Sequence, residues 1–155
     1  MATLYSNQYQ DAFVDVPSDF IRSGDVSGEV KFMFFDFTVP GTVPTNGDIY
    51  KLGKIPKGAR VIEAVLSFPD LGTAGTLDLG WAADAAAVET ADDNGFLASV
   101  DVNTAADTIK MSDNLANGAG LCKLFSAECD LELKVTTTWT ATSGVVKGYL
   151  LYRTI

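Results

Sequence analysis

KLGKIPKGARVIEAVLSF, residues 51–68, is the stretch whose reading decides the fold. Its first part, residues 51–60, reads as a basic turn. Pro56 fixes its own φ and biases Ile55 toward extended backbone, and Gly58 takes positive φ without steric cost. The turn holds Lys51, Lys54, Lys57 and Arg60. Residues 60–68 then read as a strand. Val61 and Val65 alternate with Ile62, Ala64, Leu66 and Phe68, and only Glu63 and Ser67 interrupt. One continuously apolar side opposite a mixed side is the pattern of a sandwich strand with a buried face.

The same pattern recurs on both sides of this stretch. Upstream, EVKFMFFDFTV, residues 29–39, places Val30, Phe32 and Phe34 on one side and Met33, Phe35, Phe37 and Val39 on the other. An apolar load on both sides means a central strand covered twice, or a strand with one face used in assembly. A loop with two prolines and Asn46-Gly47 follows, then a short strand at 49–55 that leads into the basic turn. Downstream, Leu77, Leu79 and Trp81 alternate with Thr76, Asp78 and Gly80. The alanine-rich run 81–95 is expected to form a short helix or irregular turn ending at Asn94-Gly95, and 96–102 a short extended piece. Residues 121–125 read as a short strand.

Residues 130–140 give the cleanest alternation in the chain. Leu131, Leu133, Val135, Thr137 and Trp139 oppose Glu132, Lys134, Thr136, Thr138 and Thr140. Residues 141–144 are expected to close a hairpin onto a last strand at 145–155. Roughly eight strands at this spacing of turns predict an all-β chain. The expected form is an antiparallel β-sandwich, jelly-roll-like, over residues 29–155.

Residues 1–28 differ from the rest. They are polar, with turn chemistry around Pro17 and in SGDVSG at 23–28, and Tyr5, Tyr9 and Phe13 fall at the spacing of one helix face. Two readings stay open for this segment. One is a loosely packed terminus; the other is an arm that buries its aromatics on a neighbouring subunit.

Composition excludes several function classes. The 155 residues carry a formal charge of −9, which argues against a nucleic-acid surface. No apolar run approaches a membrane span, and MATLYSNQYQ has neither the basic nor the apolar region of a signal peptide, so synthesis in a cytoplasm is expected. There is no histidine, which removes Ser-His-Asp and Cys-His nucleophile pairs and histidine-ligated metal sites. Phosphate-loop, dinucleotide-binding and nucleophile-elbow motifs are absent as well. Cys122 and Cys129 lack metal-ligand spacing and read as two unreactive thiols. Asp92, Asp93, Asn94 and Gly95 resemble a fragment of a calcium loop without its closing glutamate, and read as a polar turn. Trp81 and Trp139 read as core residues rather than a sugar platform. No cofactor or metal is expected.

Residues 47–84, GDIYKLGKIPKGARVIEAVLSFPDLGTAGTLDLGWAAD, resemble a segment of small head proteins of tailed bacteriophages. In those proteins a similar Pro-x-Gly turn and strand precede a short loop, a second strand and an Ala/Asp-rich stretch. The resemblance covers about a quarter of the chain. It implies a capsid decoration (cement) or head-fibre protein, a β-sandwich or jelly roll that trimerises on the outer capsid surface of the virion. The major capsid protein and a homotrimer of the chain itself would then be its partners, with neither nucleic acid nor membrane involved. Under this reading Tyr5, Tyr9 and Phe13 are capsid contacts of the arm. Lys51, Lys54, Lys57 and Arg60 are either a capsid or subunit contact, or a solvated turn whose charges suppress edge pairing. A carbohydrate-binding or adhesin module of a head or tail fibre is the alternative. A glycan hydrolase would need a paired-carboxylate cleft that no spacing here selects.

Overall fold

The computed structural model describes residues 29–39, 41–103, 105–113 and 119–155. The described residues form eight strands: β1 Lys31–Thr38, β2 Ile49–Ile55, β3 Ala59–Phe68, β4 Thr76–Trp81, β5 Asp92–Asp101, β6 Asp107–Lys110, β7 Cys129–Thr137 and β8 Val145–Thr154. They form two four-stranded antiparallel sheets, ordered β1-β8-β3-β6 and β2-β7-β4-β5. The pairings β1 with β8, β2 with β7, β3 with β6 and β4 with β5 are nested, as if one long hairpin had been wound around a barrel. That nesting is the jelly-roll order, in which every strand but one passes to the other sheet at the next connection, β4 and β5 staying together as the hairpin at its tip.

The core lies between the sheets. Phe35, Val61, Ala64, Leu66, Phe68 and Leu150 of the first sheet meet Leu77, Leu79, Leu131, Leu133 and Val135 of the second. One end is closed by aromatic rings: Trp81 lies 5.0 Å from Phe96 and 5.2 Å from Phe125, centroid to centroid. Trp81 and Trp139 are both buried, as the alternation predicts.

Several elements depart from the sequence reading, each for a physical reason. The turn expected over 51–60 contracts to residues 56–58, because β2 runs to Ile55 and β3 starts at Ala59. Gly58 does carry the positive φ (+79°) that this tight reversal needs. Within β3 the side-chain alternation breaks. Val61 pairs with Tyr152 and Glu63 with Leu151, so one extra residue, Ile62, forms a bulge. Ala59 and Val61 therefore face the core before the bulge, and Ala64, Leu66 and Phe68 after it, while Ile62 is exposed.

Of the two forms expected for the alanine-rich run, the irregular turn holds over residues 82–91 and the helix does not. The Asp84 carboxylate accepts hydrogen bonds from the backbone N–H of Ala86 (2.9 Å) and of Glu89 (2.6 Å). These local bonds divert the donors that a helix would need. Asp92, Asp93, Asn94 and Gly95 are the first residues of β5 and not a turn. Gly95 is required there by close approach: a Cβ on it would lie 2.2 Å from the Trp81 ring. Residues 121–125 form only a single bridge, Leu124 to Arg60. Residues 141–144 do not close a hairpin, since β7 pairs with β2 and β4 while β8 pairs with β1 and β3. They form a corner between sheets, tied by Val39 N–H to Gly144 O (2.9 Å) and Ala141 N–H to Leu71 O (2.9 Å).

Candidate functional site

The two outward faces of the sandwich have opposite chemistry. On the first sheet, register and alternation bring Phe32 and Phe34 of β1 beside Leu151 and Tyr149 of β8, with Val65 of β3 next in the row. The Phe32 and Phe34 rings are stacked, 5.6 Å apart and within 4° of parallel. Each lies 6.1 Å from the Tyr149 ring. Phe32 is 57% and Phe34 73% exposed; Val30, just before β1, and Ile62, across β8 on β3, are exposed as well. An open pocket of about 300 Å³ continues the patch, lined by Phe34, Phe35, Asp36, Lys147 and Gly148. Contiguous exposed aromatics on a sheet face mark a contact surface, because leaving them in water forfeits the burial energy of large rings.

The double apolar load of residues 29–39 is thereby resolved. β1 is an edge strand: Met33, Phe35 and Phe37 turn inward, and Phe32 and Phe34 turn outward. The sequence reading did not single out Tyr149, Leu151 or Lys147 as part of the same face. Their signal was the alternation within β8, where Val145, Lys147, Tyr149, Leu151 and Arg153 share one side. Only the pairing of β8 with β1 places them beside the phenylalanines.

On the second sheet the outward face is an ionic lattice. Lys51 Nζ lies 2.6 Å from Asp130 Oδ2 and 4.0 Å from Glu132 Oε1. Lys54 Nζ lies 3.0 Å from Asp130 Oδ1 and 3.2 Å from Glu128 Oε1. A bulge at Leu52, where the register shifts between Lys51 and Gly53, is what puts both lysines on this one face. Lys134 pairs with Asp93. Hydrogen bonds from Lys51 and then Lys54 hold the Asp130 carboxyl below its usual value. Burial pushes Glu132 up, and it pushes up Asp78 against the hydrogen bond that Ser99 N–H donates (2.6 Å).

The structure thus does not gather Lys51, Lys54, Lys57 and Arg60 into one cationic patch. Lys51 and Lys54 are engaged by carboxylates of β7 and the residues before it. Arg60 lies on the first sheet, opposite Arg153. Lys57 is exposed at the turn itself, beside an open pocket of about 490 Å³ shared with Gly58, Leu124, Phe125, Ser126 and Ile155. Tyr5, Tyr9 and Phe13 lie outside the described residues.

One buried carboxylate has the surroundings of a functional group, and its partners account for it. Glu89 accepts from Lys123 Nζ (2.8 Å) and from Ser126 N–H (2.6 Å). The Lys123 ammonium also sits 5.1 Å from the Trp81 ring centroid and 5.0 Å from that of Phe125. Burial raises the Glu89 carboxyl, but the bonds from Lys123 and Ser126 outweigh it and the net shift is downward. This cluster pins the loop after β4 to residues 123–126. Among the described residues no group of three His, Cys, Asp or Glu is placed to hold a metal. Cys122 is exposed and Cys129 buried, both as free thiols.

No known protein family matches the chain, and no curated protein matches it in sequence. Solved structures do. A chain of the capsid of Ralstonia phage GP4 superposes with a TM-score of 0.66 at 26% identity, covering 83% of this chain and 86% of that one. A chain of the capsid asymmetric unit of cyanophage Pam1 gives 0.62 at 19% identity, with the same two coverages, and shows the shared fold. The near-equal coverages mean that about five sixths of each of two chains of similar length are aligned. Fold and sequence likeness together relate this chain to structural chains of phage capsids.

Proposed function

We propose that the chain is a structural protein of the phage virion that binds the outside of an assembled capsid and stabilises the shell, working as a homotrimer. The observation that carries this reading is the exposed Phe32–Phe34–Tyr149 face on a sandwich whose fold is that of phage capsid chains.

The mechanism is burial and mass action. The aromatic face of the first sheet, with the N-terminal residues that include Tyr5, Tyr9 and Phe13, covers apolar surface at a junction between major capsid subunits. A protein that engages only the assembled state shifts the equilibrium toward assembly. Three copies on one symmetry axis multiply weak single contacts through effective concentration. Lys57, exposed at the β2–β3 turn, is a second proposed contact, suited to an acidic surface.

The test mixes the purified chain with heads that lack it. Saturable co-sedimentation, a rise in the temperature at which the heads rupture, and a trimer mass by light scattering are the expected results. A monomer that neither sediments with heads nor protects them would end the proposal. A glycan array run on the same sample tests the adhesin alternative, which lost its sequence motive when Trp81 and Trp139 proved buried.

A further inference from the structure

We infer that the free edge of β1 takes up an extended segment of the shell protein as an added strand of the first sheet. The inference rests on the capsid reading and specifies how the contact is made. Among the described residues the two sheets have four edge strands, and three of them are blunted in the ways that discourage edge pairing. β2 carries the bulge at Leu52 and the engaged Lys51 and Lys54, β5 shifts register twice against β4, and β6 is only four residues long. β1 differs. It pairs with β8 through eight consecutive residues without a shift. Its contact with β2 is made by side chains, the Phe37 ring lying 4.0 Å from that of Tyr50, so the main-chain edge is not used up in closing the sandwich.

The register fixes which main-chain groups are on offer. Val39 N–H donates to Gly144 O, and this pair continues the ladder one step past Thr38 and Val145. Residues of an antiparallel pair turn alternately toward the partner strand and away from it. Met33, Phe35 and Phe37 are therefore turned to β8, like Val39. The N–H and C=O of Phe32, Phe34, Asp36 and Thr38 point to the open side, where they have no partner among the described residues. The side chains of these same four residues are exposed. Those side chains also select the occupant. A second copy of β1 fits poorly. Laid antiparallel with the outward-turned residues opposed, every register that pairs Phe34 within β1 sets Asp36 against Val30, Phe32, Phe34 or another Asp36. A foreign strand is free of that conflict: it needs apolar side chains beside Phe32 and Phe34 and a polar or basic one beside Asp36. The edge is continuous with the aromatic face, and the 300 Å³ pocket is lined by both Phe34 and Asp36. In such strand addition the main-chain bonds supply affinity and the side-chain row supplies specificity.

Hydrogen exchange of the full-length wild-type protein, free and bound to heads that lack it, reads this edge residue by residue. In the free protein the amides of Phe32, Phe34, Asp36 and Thr38 should exchange faster than those of Met33, Phe35 and Phe37. On heads the first set should slow by roughly tenfold or more, with little change in the second. Binding that leaves the first set fast would overturn the inference while sparing the capsid reading, since the face would then dock by side chains alone. Slow exchange of that set already in the free protein would overturn it too, because the edge would be occupied before docking. A protein that does not bind heads ends both. A variant pair gives a second measurement. Asp36→Pro removes an N–H on the open side, where an edge strand tolerates proline, and Asp36→Ala removes the side chain alone. Affinity of Asp36→Pro for heads should fall roughly tenfold below that of Asp36→Ala. Equal affinities of the two folded variants would count against strand addition as decisively as unchanged exchange.

Discussion

Truncating Phe34 to serine should separate docking from folding. Taking roughly 200 Å² for a phenylalanine, the 73% left exposed is about 150 Å² of apolar surface in water. Covering it at about 25 cal/mol/Å² contributes at most about 3.7 kcal/mol to an interface. Ordering and imperfect fit absorb part of this, and halving it still leaves roughly a twentyfold loss of affinity for heads. Folding should barely respond, because the ring gains little when the chain folds. The loss is confined to its stack on Phe32 at 5.6 Å, about 1 kcal/mol. The assay is a co-sedimentation isotherm with undecorated heads, paired with thermal unfolding of the free protein. A folded Phe34→Ser protein with wild-type affinity would refute the docking argument. A fall in melting temperature far beyond a few degrees would show that the ring belongs to the core.

Three further outcomes follow from the geometry. Gly95→Ala puts a Cβ 2.2 Å from the buried Trp81 ring, which has no room to retreat, so urea unfolding should show a loss of at least about 2 kcal/mol. Asp130→Asn should flatten the acid limb of the stability profile. The Asp130 carboxyl is held low in the folded state, so its contribution is present above the usual carboxylate range and vanishes as pH falls through the folded value. Glu132→Gln should act the other way. Burial raises this carboxyl, so its ionised form costs stability at neutral pH, and wild type recovers that cost as pH falls and the folded chain takes up the proton first. The Gln variant should therefore melt higher than wild type at neutral pH, with the gap closing in acid.

How much of this was legible in sequence depended on whether the deciding contact was local. β4 and most of β7 announce themselves, because alternation of apolar residues is itself the consequence of one face meeting a core, and β1 announces itself by its density of aromatic residues instead. The jelly-roll class followed from the count of such strands, and the burial of Trp81 and Trp139 from their place in the alternation. The ionic face was not legible. Lys51 and Lys54 read as a basic turn because their neighbours in sequence are Gly53, Ile55 and Pro56. Their partner Asp130 is 79 residues from Lys51. The start of β5 was hidden for the same reason. Asp-Asp-Asn-Gly has turn composition, and only the Trp81 ring explains why a glycine is needed in a strand there.

Bulges account for the most consequential error of side, and they also built the two faces. With strict alternation, Val61 would share a side with Glu63 and Val65, and Lys51 and Lys54 would lie on opposite sides of β2. One extra residue in each strand reverses this. The bulge at Ile62 keeps Val61 in the core while sending Ile62 and Glu63 outward beside Leu151, with Ile62 exposed and Val65, next to Tyr149, buried. The bulge at Leu52 delivers both lysines to Asp130. A single inserted residue therefore decides which charges are neutralised internally and which apolar groups are left for a partner. Removing the β3 bulge by deleting Ile62 makes this testable. A register slip would flip one end of β3, burying Arg60 or exposing Val61. The protein should lose cooperative unfolding rather than merely lose affinity for heads. A deletion variant that still unfolds cooperatively and still binds would show that the face does not depend on the bulge.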